Sequence, residues 1–388
     1  MDFHEPARMP RGFSCTATNC GLKQREPDLA LFFSEAPGNA AAIFTRNQFP
    51  GAPVIVGREL IKGGRLQGVV VNSRVSNVGT GGAGIAIARR MGAAAAKELG
   101  IDASLVLMSS TGVIGVPLPV EKIETGLQGL KQQLQSDPLV GARGIMTTDT
   151  HPKAVSLSVG DATITIVAKG AGMIEPNMAT MLCYIFTDAK VEAARLDRML
   201  RNCAHVSLNM LSIDSDTSTS DTCVVIANGL AGEVDDVAFE NGLRTAMIKV
   251  AEIMARDGEG ATKLLRIHVR SAASETEARQ IAKAIVNSPL VKTMAYGADP
   301  NVGRLLMAIG KNFEATIVRE NVNAWISGTK VVTDGTRATF DDEDVRRILK
   351  NETVDIVVEL GVGEGSATAY GCDLTEGYIN ENAAYYSS

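Results

Sequence analysis

The run Lys169-Gly170-Ala171-Gly172-Met173-Ile174-Glu175-Pro176-Asn177-Met178-Ala179-Thr180-Met181-Leu182 holds the residues best arranged to do chemistry. Three small residues behind a lysine let the backbone turn tightly, and Pro176 fixes the approach to an apolar strand. A hydroxyl held at Thr180 against the preceding carbonyl can attack it. The amide then becomes an ester, and hydrolysis leaves an N-terminal threonine. Its α-amine, with a reference pKa of about 7.7–8, can serve as general base for its own hydroxyl. Such a nucleophile needs no histidine. The chain has only four, His4, His151, His205 and His268, and no G-x-S-x-G to accompany them, so a Ser-His-Asp triad has little support.

Other motifs fail on their own physics. Gly79-Thr80-Gly81-Gly82-Ala83-Gly84 fits G-x-G-x-x-G, but residues 72–78 separate it from the valine run, whereas a dinucleotide turn follows its strand directly. Asp214-Ser215-Asp216-Thr217-Ser218 opens like a calcium loop, yet the sixth position is Thr219 and the twelfth is Val225. Cys15 and Cys20 have no second close pair to complete a zinc site.

The elements that must position Thr180 alternate between short β-branched runs and Ala-rich helical stretches. Strands are expected at 68–71, 105–108, 223–227, 265–269, 314–318 and 354–360, with a strand, turn and strand over 155–167. Helices are expected at 85–99 (stopped by Gly100), 120–134, 196–203, 237–256, 275–286 (capped by Ser274) and near 342–350. At 388 residues, 45% hydrophobic and 21% charged, the chain can bury a sizeable core. Aromatics are only 4%, so that core must be built from small and aliphatic side chains. A net charge of −6 without a long basic run argues against nucleic acid or an anionic membrane surface as partner. No apolar stretch reaches the ~20 residues of a membrane span, and the polar start predicts a cytoplasmic protein.

The Lys169–Leu182 segment resembles the self-cleavage site of the ornithine acetyltransferase family. Further blocks resemble that family in the same order: Phe44-Thr45-Arg46-Asn47, Ser110-Thr111-Gly112-Val113, Met146-Thr147-Thr148-Asp149-Thr150, Asp216-Thr217-Ser218-Thr219, Gly258-Glu259-Gly260 and Ala369-Tyr370-Gly371-Cys372-Asp373. The likeness covers nearly the whole chain from about residue 10. It implies an α/β fold with a layered αββα sandwich core and a smaller C-terminal α/β lobe from about 310. It also implies cleavage between Ala179 and Thr180 into an α chain, 1–179, and a β chain, 180–388, assembled as an αβ oligomer such as α2β2 or α4β4.

The implied reaction moves an acetyl group from N2-acetyl-L-ornithine to L-glutamate through a Thr180 ester, which needs no metal or redox cofactor. Thr111 and Gly112 match the family's oxyanion pair. Lys169, Thr147 or Thr148, Glu259, Asn382 and Ser387 match substrate contacts. The departures lie at Glu381, Arg74 and Val302, where the family usually carries other residue types. They leave open the same chemistry on another N-acyl amino acid. A related self-cleaving aminopeptidase or amidase, passing its acyl group to water, is the other alternative.

Overall fold

The computed structural model describes residues 2–175 and 181–383. The chain divides into two compact units. The first comprises Met1–Gly170, Pro176–Asn209 and Thr217–Val250; the second comprises Ala171–Glu175, Met210–Asp216 and Ala251–Ser388.

In the first unit the elements run β1 (Phe13–Thr18), β2 (Leu29–Phe44), α1 (Ala52–Leu60), β3 (Arg65–Val75), α2 (Gly81–Leu99), β4 (Val106–Val113), α3 (Val120–Gly126) and α4 (Pro138–Ile145). They continue through β5 (Lys153–Val159), β6 (Ala162–Lys169), β7 (Leu182–Lys190), α5 (Ala193–Val206), β8 (Thr222–Glu233) and α6 (Asp236–Arg256), whose last turns belong to the second unit. The strand order is β4-β3-β2-β8-β7-β6-β5, with β1 on β2.

β2 is the hinge of this arrangement. Its first half pairs with β1 and β3 and its second half with β8, while β3 continues past a register shift between Phe33 and Gly38 to pair with Gly38 and Asn39. The one bent strand therefore serves two layers that fold face to face. Strand alternation sorts the side chains: Phe32, Val69, Val71 and Leu107 point inward onto Tyr184, Phe186 and Val224, while Leu29, Leu31, Val70 and Met108 point outward. Phe32 stacks 5.2 Å from Phe186 and lies 5.5 Å from Tyr184. Each such fully buried side chain contributes about 1.5–3 kcal/mol.

On the outer face of β3 and β4, α2 lays down Ala88, Met91, Ala95 and Leu99 at helical spacing, and Gly100 caps its end. On the other side α5 packs against β2, and Cys203 Sγ donates to the Glu240 carbonyl of α6 at 3.4 Å. The result is the layered αββα sandwich.

The second unit holds β9 (Leu264–Ala272), α7 (Glu275–Val286), α8 (Pro289–Tyr296), α9 (Gly303–Gly310), β10 (Asn323–Ile326), β11 (Thr329–Thr333), β12 (Thr336–Arg337), α10 (Asp342–Leu349), β13 (Thr353–Glu359), β14 (Gly365–Cys372) and α11 (Glu376–Asn382). Its sheet runs β12-β11-β10-β13-β9-β14, with β13 parallel to β9. Ser274 caps α7 by accepting the Glu277 amide, as its sequence position suggests. Residue 310 lies at the end of α9, inside this unit.

Two expected elements differ. The helix expected over 120–134 breaks after Gly126: Gly129 turns left-handed at φ 81°, and Leu130–Gln133 forms only a 3-10 turn. The strand expected at 314–318 does not form. Phe313 is 90% exposed and Val318 42% exposed, so the alternating residues there have no core to face. No helix among the described residues is long and apolar enough to cross a membrane.

Candidate active site

β4 runs parallel beside β3, pairing Ser73 with Thr111 and Arg74 with Gly112. Thr111 is buried, and strand alternation puts it on the inward face two residues beyond Ser109. Gly112 has φ 121°, outside the range of ordinary L residues, and a Cβ there would overlap the Arg74 carbonyl. Only glycine fits there, immediately after a buried threonine hydroxyl. Three further hydroxyls in the unit, Ser109 Oγ, Ser110 Oγ and Tyr184 Oη, are buried without a hydrogen-bond partner among the described residues. Burial drives the Tyr184 hydroxyl well above the usual phenol range.

Lys169 ends β6, and its Nζ donates to Thr147 Oγ1 at 2.9 Å. Thr147 is fixed in turn by Asp149, whose Oδ2 accepts the Thr147 amide at 3.0 Å. The other oxygen of Asp149 accepts Lys153 Nζ at 2.6 Å and the Gly170 amide at 2.7 Å. Burial opposes ionisation of Asp149 most strongly, but Lys153, Lys169 and these hydrogen bonds overcome it and hold the carboxyl below the usual range. Thr148, the alternative to Thr147, is half-buried next to it. A cavity of about 410 Å³ opens alongside, lined by Lys23, Arg143, Thr147 and Asp149 among others. Burial lowers the Lys23 ammonium, whose Nζ donates to the Met146 carbonyl at 2.7 Å.

Asp221 is a member of this unit that sequence reasoning gave no role. It precedes β8 and is 2% exposed, and its Oδ2 has no hydrogen-bond partner among the described residues. Burial pushes its carboxyl well above the usual range, against the opposing pull of Ser218, Thr45, Lys169 and the Met181 amide. Met181, the residue after Thr180, also accepts the Thr222 amide at 2.9 Å.

Within the second unit, Asn382 Nδ2 donates to Glu259 Oε2 at 2.7 Å, so these two expected substrate contacts are brought together. The Glu259 amide donates to the Ala171 carbonyl at 2.8 Å. A Cβ on Gly172 would overlap the Glu259 carboxylate, so only glycine allows this approach. Asp214, also missed, accepts the amides of Met173 and Ile174 at 2.6 and 2.8 Å. Ala179, Thr180 and Ser387 lie outside the described residues.

The chain is 45% identical over 378 residues to the arginine biosynthesis bifunctional protein ArgJ 2 of a Nostoc species, covering 97% of each. It is 43% identical over 385 residues to the glutamate N-acetyltransferase Oat2 of Streptomyces clavuligerus, covering 97% of this chain and 98% of that one. Among solved structures, the arginine biosynthesis bifunctional protein of Bacillus halodurans matches with a TM-score of 0.51 and 37% identity, over 53% of this chain and all of that one. Residues 14–387 match the ArgJ family, and with relatives of this identity and extent the chain belongs to it.

Proposed function

We propose that the protein cuts itself between Ala179 and Thr180 and then uses Thr180 to carry an acetyl group from N2-acetyl-L-ornithine to L-glutamate. In cleavage the Thr180 hydroxyl adds to the Ala179 carbonyl and the amide nitrogen leaves as the Thr180 α-amine. Water then hydrolyses the resulting ester. In turnover that amine takes the hydroxyl proton as the oxygen attacks the acetyl carbonyl. Ornithine departs, and the α-amine of glutamate attacks the acetyl-ester to give N-acetylglutamate.

The Thr111 hydroxyl and the Gly112 amide stabilise the oxyanion of each tetrahedral intermediate, where one lost donor typically costs about 10²–10³ in rate. Lys169, steadied by Thr147, takes the α-carboxylate common to both substrates. Glu259, with Asn382 on its carboxylate, takes the substrate's ammonium or orients the new amine, and Ser387 adds a contact. The enzyme works in the cytoplasm, and its two cut chains remain together in an αβ oligomer.

The observation that supports this most is the Thr111–Gly112 corner, because nothing in strand pairing alone calls for a left-handed glycine behind a buried threonine. Intact mass of the purified protein beside a Thr180→Ala variant tests it. Two fragments meeting at Ala179/Thr180 in the wild type and one uncut variant chain are expected. Mixing acetylornithine with glutamate then separates transfer from hydrolysis. A full-length wild type, or acetate as the main product, refutes the reading.

A further inference from the structure

The residues just upstream of the cleavage junction are held far more firmly than a surface turn requires. The Ala171 carbonyl accepts the Glu259 amide at 2.8 Å. Asp214 Oδ2 accepts the Met173 amide at 2.6 Å, and Oδ1 accepts the Ile174 amide at 2.8 Å. The Ile174 carbonyl accepts the Ile213 amide at 2.8 Å. Glu175 pairs with Lys283 at 2.9 Å and accepts from Asn287 Nδ2 at 3.1 Å. Between these anchors Met173 sits at φ 54° and is 44% exposed. A methionine adopts that left-handed conformation only where its surroundings over-determine it, and here the anchor is a carboxylate with one oxygen on each of two consecutive amides.

We infer that Asp214 is a positioning residue for self-cleavage: by clamping the Met173 and Ile174 amides it restrains the segment that leads to the Ala179–Thr180 bond. The inference rests on the self-cleavage reading above. An N-to-O acyl shift is intramolecular, so its rate depends on how often hydroxyl and carbonyl meet in an attack geometry, and a 1 Å misplacement can cost about 10²-fold. Charge-assisted hydrogen bonds to successive amides restrict that segment more than neutral ones can. Asp214 lies in the part of the chain that becomes the β chain, and Met173 and Ile174 in the part that becomes the α chain. The same bonds therefore tie the new α-chain tail to the β chain after the cut.

The test follows the intact mass of freshly purified full-length protein over time in wild type, Asp214→Asn and Tyr378→Phe. Asparagine keeps the size of the side chain but offers one acceptor oxygen for two amides, and its cleavage should slow by about 10- to 100-fold. Tyr378→Phe removes only the hydroxyl that donates to Asp214 Oδ2 at 3.3 Å and should cleave at the wild-type rate. Melting temperatures of Thr180→Ala and Thr180→Ala/Asp214→Asn, both uncut, should agree within a few degrees. Wild-type cleavage by Asp214→Asn overturns the inference. Equal slowing by Tyr378→Phe does so too, and so does a melting loss large enough to explain the slow cut. A wild type that never cleaves strikes instead at the self-cleavage reading, and the variants are then beside the point.

Discussion

Asp149→Asn should damage stability and acetyl transfer together, and the structure sets the size of both effects. The Asp149 side chain is 0% exposed and that of its ion-pair partner Lys153 is 1% exposed. Asparagine removes the carboxylate opposite that ammonium and leaves one acceptor oxygen for the Lys153, Gly170 and Thr147 donors. Removing one member of a buried pair costs about 3–5 kcal/mol, because the other charge stays buried. With about 2–4 °C per kcal/mol for a unit of this size, melting should fall by about 6–20 °C. The comparison belongs in a Thr180→Ala background, where one uncut chain unfolds and dissociation of two chains does not shift the midpoint with concentration.

The pH dependence has a definite sign. Lys153 and Lys169, overcoming burial, hold the Asp149 carboxyl below its ordinary value. Its stabilisation is therefore complete above the unfolded value of about 3.9 and disappears as pH falls through the lower folded value. The melting gap between the parent and its Asp149→Asn variant should be full at neutral pH and close only in strong acid. With Thr180 restored, transfer should drop by about 10- to 100-fold, since Thr147 and the Gly170 amide flank Lys169 and both lose their anchor. Asp149→Leu/Lys153→Met removes both charges and should recover most of the stability, yet not the transfer. An Asp149→Asn protein that melts within about 2 °C of its parent, or a gap unchanged down to about pH 2, would refute this account.

Two predictions concern the corner of β4. Thr111→Val keeps the shape and removes the hydroxyl, so the melting temperature should hold within about 2 °C while kcat falls about 10²–10³-fold; an unchanged kcat in a transfer assay removes Thr111 from the oxyanion role. Gly112→Ala forces a Cβ against the Arg74 carbonyl at φ 121°, which should cost about 1–3 kcal/mol of strain as well as rate. Wild-type melting in that variant would show that the corner relaxes freely.

Local signals carried much of the fold into view. The valines of β3, the strand-turn-strand of β5 and β6, α2 with Gly100 behind it and α7 with Ser274 before it each declare themselves within a few residues. β2 does not, because Pro37 and Gly38 interrupt its apolar run where the register shifts. Its 16 residues serve two layers, and which half pairs with which strand is decided by β1, β3 and β8 arriving from elsewhere in the chain. The expected strand at 314–318 fails for the converse reason: a short alternating pattern has no force without a face to bury.

The site divides along the same line. Thr111, Gly112, Lys169 and Glu259 belong to compact motifs whose residue types already say what they can donate or accept. Asp149, Asp214 and Asp221 are short acids in polar surroundings, the commonest of loop residues, and their consequence comes entirely from what they face. Asp214 answers amides some 40 residues upstream, and Asp221 becomes unusual only once burial has removed its water. An acid that orders backbone amides needs no partner at a fixed spacing, since every residue but proline supplies an amide. That is why spacing assigns such residues no role, and why an Asp→Asn series on these three positions would reveal more about this protein than a further search for nucleophiles.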